Sequence, residues 1–170
     1  ISEIKRRDPK AGRKEFVNGE SFLYLGKHYK LTITDKQEES LRFDNGFFLH
    51  KDYLPVAREI FIKWYKDRAY EKIKERVELY ARKRRLKYNR INITDAEKRW
   101  GSCSSAGNLN FSWRLIMAPL PVVDYVVVHE LVHLIEKNHS KAFWGKVKVF
   151  LPDYERYNEW LKKNGYLLTF

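Results

Sequence analysis

The sequence predicts an α+β fold with a strand-rich first part, residues 15–54, and a helical second part, residues 55–170. Short apolar runs broken by turn residues fill the first part, whereas apolar residues recur at helical spacing after Pro55. A chain of 170 residues with 44% hydrophobic residues is the size of one ordinary domain. Residues 1–14 are polar and lack periodicity, so we interpret them as a basic arm or linker.

Four short strands are expected in the first part, at residues 22–25, 29–34, 40–43 and 47–50. Turn residues separate them, and the last turn contains Asn45-Gly46, the pair typical of a tight hairpin. The sequence therefore predicts a small sheet.

A long amphipathic helix of about thirty residues is predicted after Pro55, ending near residues 82–87. Strands at residues 91–94 and 109–116 follow, with a Gly/Ser-rich turn at 101–107 between them. Three more helices are expected, at residues 122–137, 141–150 and 154–163. Pro119 and Pro121 precede the first of these, and Ser140 is suited to cap the second.

The charge balance favours anionic partners. Thirty-four Lys and Arg residues against twenty-two Asp and Glu residues give a formal net charge of +12. Six basic residues lie in residues 5–14 and six more in residues 82–90. Nucleic acid, nucleotides, phosphorylated substrates or an anionic membrane surface fit this excess, and so does a merely solvated surface.

The sequence favours a cytoplasmic protein without a membrane span. Its longest nearly apolar run, residues 115–123, contains two prolines, and no charged-then-apolar leader opens the chain. The single cysteine, Cys103, cannot form an internal disulfide. It also lacks a histidine motif of the kind that would make it a nucleophile.

The predicted helix at residues 122–137 carries the chemistry. It is apolar on every face and is therefore expected to be buried, yet His129, Glu130 and His133 lie in its middle. Histidines four residues apart project from one helix face and can share one tetrahedral zinc ion. With Glu130 beside them, they form the His-Glu-x-x-His pattern of zinc hydrolases.

A catalytic zinc needs a third protein ligand. His139 is favoured, because Asn138 can adopt the left-handed conformation that ends a helix and leave His139 in a turn. Glu155 and Glu159 on the last helix are the rival ligands. Asp124 is a candidate to hold a ligand histidine in place.

The chain resembles a known family in several motifs. These are Arg99-Trp-Gly-Ser-Cys-Ser-Ser105, Asn110-Phe-Ser-Trp-Arg-Leu-Ile116, His129-Glu-Leu-Val-His133 and His139-Ser-Lys-Ala-Phe-Trp144. Weaker matches extend to residues 22–26, 151–154 and 160–161. Together they are similar to the YgjP-like family of metal-dependent hydrolases, which belongs with zincin metallopeptidase-like domains and is related to WLM and SprT-like proteases.

This resemblance implies a zincin-like fold, the metal ligands His129, His133 and His139, and Glu130 as the general base. Family members usually carry a further strand-rich stretch before the position of Glu20, which leaves open whether the chain is a fragment. The ligand spacing also equals that of the metzincins. The only methionine precedes the helix, however, so no Met-turn can follow it and we reject a metzincin.

The predicted reaction is cleavage of a peptide bond by a zinc-bound water that Glu130 deprotonates. The strand at residues 108–116 is expected to align an extended substrate by backbone pairing. Candidate substrate-binding residues, including Arg114 for the oxyanion, are Arg99, Asn110, Ser112 and Arg114. Weaker oxyanion candidates are Tyr125, Tyr154 and Tyr157.

Three alternatives stay open. A metal-dependent phosphohydrolase could bind a nucleoside triphosphate through Lys98, Arg99 and Arg114. A nucleic-acid-associated protease could hold nucleic acid through its basic segments. A zinc ion that only braces helices would not require Glu130. The oligomeric state is not predicted.

Overall fold

A computed structural model describes residues 13–170 and confirms the α+β class. The predicted arm, residues 1–14, lies outside the described residues except for its last two. Within residues 13–170, no helix combines the length and apolar character needed to cross a membrane.

The first sheet contains the four strands that the sequence predicts: β1 Ser21–Tyr24, β2 Lys27–Thr34, β3 Leu41–Phe43 and β4 Phe47–His50. Their order in the sheet is β1-β2-β4-β3. Strands β1 and β2 are antiparallel, as are β3 and β4, whereas β2 and β4 pair in parallel. Asn45 adopts a φ of 49° in the turn between β3 and β4, which confirms the predicted hairpin.

The long helix predicted after Pro55 is α1, Ala57–Lys83, which follows a short 3-10 helix, Lys51–Val56. One face of α1 is buried at regular spacing, and Phe61 stacks on Phe22 of β1 with ring centroids 4.5 Å apart. This aromatic contact joins α1 to the first sheet. The buried residues of α1 are Ala57, Phe61, Tyr65, Ala69, Ile73, Val77, Tyr80 and Ala81.

The second sheet corrects two sequence predictions. Its strands are β5 Arg90–Thr94, β6 Gly101–Cys103 and β7 Asn108–Ser112. The strand predicted over residues 109–116 ends at Ser112, whose hydroxyl accepts a hydrogen bond from the Arg114 N–H and opens a 3-10 helix, Trp113–Met117. The turn predicted over residues 101–107 begins as strand β6, because its first three residues pair with β7.

The order of the second sheet is β5-β7-β6. Strand β7 is therefore paired on both sides, in parallel with β5 and antiparallel with β6. The prediction that this strand receives a substrate is wrong, since its backbone groups are already used. Strands β5 and β6 are the two edges of this sheet.

Three helices complete the fold: α2 Leu120–Val132, α3 Lys141–Phe150 and α4 Tyr154–Asn164. Eleven residues of α2 are buried, as its apolar sequence predicts. It ends five residues before the predicted position 137, because the Leu134 and Ile135 N–H groups donate to carbonyls three residues back and tighten the last turn. Asn138 has no positive φ, so a left-handed residue does not end this helix.

Asp124 links α2 to α1. Its carboxylate accepts hydrogen bonds from Arg76 Nε at 2.7 Å, Arg76 Nη2 at 2.9 Å and the Tyr80 hydroxyl at 3.0 Å. The idea that Asp124 holds a ligand histidine is therefore wrong. Asp124 instead fixes α2 against α1.

Candidate metal centre

Three histidines converge at the end of helix α2. His129 lies in the last turn of α2, His133 follows its last residue, and His139 lies in the segment before α3. The Nε2 atom of His139 is 3.1 Å from that of His129 and 3.0 Å from that of His133. We call these three residues the histidine triad. It includes neither of the rival carboxylates, Glu155 and Glu159.

The triad fits a metal ion. Nitrogen ligands about 2.0–2.1 Å from a tetrahedral zinc ion lie about 3.3 Å from one another, close to the two observed distances. The His133 Nδ1 atom lies 3.0 Å from the backbone oxygen of Glu136. A carbonyl can only accept a hydrogen bond, so Nδ1 carries the proton and the lone pair of Nε2 is directed at its neighbours. The three side chains could therefore hold one ion.

Local sequence explains how the triad forms. The i, i+4 spacing puts His129 and His133 on one helix face. The early end of α2 then lets the chain turn back, and the Ser140 hydroxyl accepts a hydrogen bond from the Phe143 N–H at 3.3 Å to begin α3. This cap confirms the prediction for Ser140, and it fixes the chain next to His139.

Phe143 and Trp144 of α3 form the apolar wall of the triad. The Phe143 ring is fully buried, and its centroid lies 4.9, 4.6 and 4.9 Å from the rings of His129, His133 and His139. Trp144 stacks on His139 with centroids 5.8 Å apart. The wall excludes water from one side of the site and limits the rotation of the imidazole rings.

Burial controls the protonation of the triad. It lowers the pKa of His129 to about 2 and also lowers those of His133 and His139. Neutral imidazoles are the form that binds metal ions, so the fold holds these side chains ready for ligation. The buried His129 Nδ1 atom has no hydrogen-bond partner among the described residues. The tautomer of His129 is therefore not fixed by a hydrogen bond, in contrast to that of His133.

Glu130 faces strand β6 and the same cleft as the triad. It is 1% exposed, and its Oε1 atom has no hydrogen-bond partner within residues 13–170. Burial raises the pKa of Glu130 to about 8, while the positive charge of Arg99 acts in the opposite direction. A carboxylate with a raised pKa can accept and return a proton near neutral pH.

Gly101 allows β6 to approach Glu130 closely. A Cβ atom at this position would lie 3.0 Å from Glu130 Cγ and 3.1 Å from the backbone oxygen of Asn110. Both distances are shorter than ordinary van der Waals contact. The sequence predicted a turn beginning at Gly101, because no local pattern indicates which helix a strand will contact.

The outer edge of β6 is free within the described residues. The Ser112 N–H donates a hydrogen bond to the Trp100 oxygen at 2.9 Å, next to the paired strands. In an antiparallel pair only every second residue bonds to the partner strand, so Ser102 bonds to β7. The backbone groups of Gly101 and Cys103 therefore point away from β7. This edge lines the cleft.

The cleft has a volume of about 680 Å³ and contains the triad and Glu130. Residues from β6 and the following turn form one side. Lys87, Arg99 and Lys137 add three positive charges to the lining. Of these three residues, only Arg99 was predicted from the sequence to belong to the site. Lys87 was noted solely as a member of the basic segment, residues 82–90, and Lys137 as the last residue of a predicted helix.

The four candidate substrate-binding residues do not lie together. Arg99 lines the cleft. Asn110 and Ser112 line a separate cavity of about 60 Å³ behind β6, which Arg99 also reaches. Arg114 is outside the cleft, since its guanidinium donates to the Asp95 oxygen at 3.1 Å and pairs with Glu97.

The weaker candidates are also separated. Tyr125 is buried, and its hydroxyl has no hydrogen-bond partner within the described residues. Tyr154 stacks on Trp144 with centroids 5.3 Å apart, which supports the wall of the triad. Cys103 lines the cleft, but burial raises the pKa of its thiol and the nearby Glu130 raises it further. A raised pKa disfavours the thiolate that a nucleophile requires.

Comparison with known families agrees with this geometry. The family model described as YgjP-like, metallopeptidase domain, matches residues 1–164. No curated protein and no solved structure matches the chain.

Proposed function

The chain belongs to the YgjP-like family of metallopeptidase domains, and from this membership and the histidine triad we propose that it is a zinc-dependent hydrolase of peptide bonds. Membership supports a metal-dependent hydrolase. We further propose that the metal is zinc, that Glu130 is the general base and that the substrate is a peptide.

One observation carries the proposal. Three imidazole nitrogens converge beside a buried carboxylate in one open cleft. A metal ion that only braced the fold would need a closed set of four ligands and no acid. Three ligands, Glu130 and an accessible cleft are the parts that hydrolysis requires.

A zinc ion held by His129, His133 and His139 would polarise the scissile carbonyl and make water more acidic. Glu130 accepts a proton from the attacking water and delivers it to the departing amine. Its buried position keeps its raised pKa near the pH at which both transfers must occur. Arg99, which lines the same cleft, is the proposed substrate-binding cation.

The free edge of β6 is the proposed substrate platform. Gly101 and Cys103 direct backbone groups toward the cleft, so an extended polypeptide can add there as a further strand. This platform replaces β7, which is paired on both sides. The contact uses only backbone groups and therefore suits substrates of varied sequence.

The proposed substrate is a peptide or an unfolded protein, and the proposed location is the cytoplasm. The single Cys103 supports a reducing compartment.

Metal content tests the ligand set. The protein is purified, supplied with zinc and passed over a desalting column, and the metal per chain is measured for parent, His139→Ala and His28→Ala. We expect about one zinc in the parent and in His28→Ala, whose histidine lies outside the triad, and clear loss in His139→Ala. Full zinc content in His139→Ala, or none in the parent, would refute the proposed ligands.

Cleavage of casein tests the reaction. We expect the zinc-loaded parent to produce fragments, and Glu130→Gln to lose at least about a hundredfold in rate while keeping its metal, because the general base is gone. The exposed Glu38 provides the control, Glu38→Gln, with parental activity. Equal cleavage by Glu130→Gln and the parent would contradict the assignment of the base.

A phosphohydrolase is the second candidate, because three cations line the cleft. Two of the three cations that the sequence suggested for phosphate, Lys98 and Arg114, do not line it. The assay is release of orthophosphate from nucleoside triphosphates in the presence of inorganic pyrophosphatase. Release that Glu130→Gln abolishes, without casein cleavage, would favour this candidate over the peptidase.

A nucleic-acid-associated protease is supported by the basic segment, residues 82–90. The Asn89 N–H donates to the Gly107 oxygen at 2.8 Å, so this segment lies against a turn that lines the cleft. Retention on DNA that falls steeply with salt would support this version. Absence of binding at low salt would exclude it.

A further inference from the structure

Three exposed cations surround the cleft that holds the triad. Lys87, Arg99 and Lys137 line it, and among the described residues none of them forms an ion pair with a carboxylate. Lys146, by contrast, pairs with Glu136, the residue before Lys137. The cleft therefore presents positive charge that no ion pair within residues 13–170 neutralises.

The three cations come from separate parts of the fold. Lys87 follows α1, Arg99 precedes β6, and Lys137 lies between α2 and α3. They line different parts of one cleft and are not neighbours in a single charged run. Glu130 is the only carboxylate in the lining, so the field in the cleft is positive and attracts anionic groups.

The residues that line the cleft favour a polypeptide over a nucleotide as its ligand. Among the described residues that line it there is no Phe, Tyr or Trp on which a base could stack, since Phe143 and Trp144 pack against the histidine rings. It does contain the free edge of β6, where Gly101 and Cys103 offer backbone groups to an extended strand. An extended chain lying there would carry side chains past the cations on either side.

We infer that the cleft selects polypeptide segments rich in Asp and Glu around the bond that is cut. This inference rests on the proposed peptidase function and adds its substrate class. Lys87, Arg99 and Lys137 act as specificity residues that bind acidic side chains flanking the scissile bond.

The expected preference for acidic peptides is modest, because the three cations are exposed to solvent. An exposed ion pair changes affinity by about twofold, so three together give about a tenfold preference for an acidic peptide over a neutral one. Screening weakens such pairs, and the preference should fall when salt is raised from about 50 mM to about 500 mM.

The test uses two fluorescein-labelled peptides of equal length, one with Asp and Glu on both sides of a central Ala-Leu pair and one with Ser and Asn there. Their dissociation constants are measured by fluorescence anisotropy with the Glu130→Gln protein, which separates binding from cleavage. The same measurement is made after Lys87, Arg99 and Lys137 are all replaced by alanine. A matched control removes three exposed cations outside the cleft: Lys36, Lys148 and Arg156.

We expect the acidic peptide to bind about tenfold more tightly, the cleft variant to lose that preference and the control variant to keep it. Measurable but equal binding of both peptides would overturn this inference and leave the proposed function intact. Binding of neither peptide would overturn both. Tighter binding of a single-stranded oligonucleotide of equal charge, lost in the cleft variant, would assign these cations to nucleic acid and refute the acidic-peptide selection.

Discussion

Replacement of Gly101 by alanine tests how closely β6 must approach α2 at Glu130. The added Cβ would lie 3.0 Å from Glu130 Cγ, 3.1 Å from the Asn110 oxygen and 3.3 Å from Phe111 Cδ1. Ordinary carbon contacts begin near 3.5 Å, so β6 and α2 must separate by about half an ångström. Neither side can yield easily, since Glu130 is buried and the Asn110 oxygen belongs to the paired strand β7.

The expected magnitude has two parts. Overpacking costs about 1–3 kcal/mol, and the lower entropy of the unfolded alanine chain offsets about 0.5–1 kcal/mol of that. The free energy of unfolding should therefore fall by about 0.5–2 kcal/mol. Because a misplacement of 1 Å can cost about a hundredfold in rate, a shift of half that size should lower casein cleavage about tenfold while leaving the triad loaded with metal.

Urea denaturation measures the stability and casein cleavage the rate, with metal content as the check on the triad. Gly145→Ala is the control, because its Cβ would meet nothing within 4 Å in α3. Helix propensity predicts that this control gains up to about 1 kcal/mol in stability. If Gly101→Ala matched the parent in both stability and rate, the argument that β6 positions Glu130 would be refuted.

Substitutions at three further positions have defined outcomes. Asp124→Asn removes the charge that Arg76 binds and should lower the free energy of unfolding by about 2–3 kcal/mol in urea; an unchanged midpoint would contradict the tether. Ser140→Ala should cost about 1 kcal/mol in thermal denaturation with chelator present, because α3 loses its cap, and Ser140→Asp should not. Hydrogen bonding to Lys66 lowers the pKa of Asp95 from its ordinary 3.8, so Asp95 stabilises the fold above that pH. The stability difference between parent and Asp95→Asn, present at pH 6, should therefore shrink as the pH falls below 3.8; a difference independent of pH would exclude this pairing.

Elements fixed by local patterns could be predicted from the sequence. The i, i+4 spacing of Phe61, Tyr65 and Ala69 gave α1, and Asn45-Gly46 gave the hairpin in the first sheet. Ser140 gave the start of α3. Each of these signals involves residues within one or two turns of the chain, so tertiary packing did not need to be known.

In the candidate site, too, residues set by local spacing could be predicted, whereas residues with distant partners could not. The spacing of His129 and His133 indicated two ligands, and His139 was favoured by its place in the turn; all three meet in the structure. Arg114 was wrongly predicted to bind substrate, because no local motif shows that its side chain pairs with Glu97 in the folded protein. The partner of Asp124 lies 48 residues earlier in the chain, beyond any local pattern.

Pairing between distant strands could not be derived in the same way. Sequence indicated that β7 is a strand, but not that β5 and β6 occupy both of its edges. The three residues of β6 are too few for a recognisable alternation, and Gly101 and Ser102 suggest a turn. The substrate platform was consequently assigned to the wrong strand.

The triad spans only eleven residues of chain, from His129 to His139, whereas Glu130 contacts a strand nearly thirty residues earlier. Contacts between near neighbours form early in folding, because little loop entropy opposes them. If the triad holds a metal ion as proposed, a chain that has formed α2 and its turn could bind it before the second sheet is assembled. Metal capture would then guide folding of this segment, and proton transfer would begin only when β6 docks. The nascent protein would be loaded but harmless to other unfolded chains until its own folding was complete.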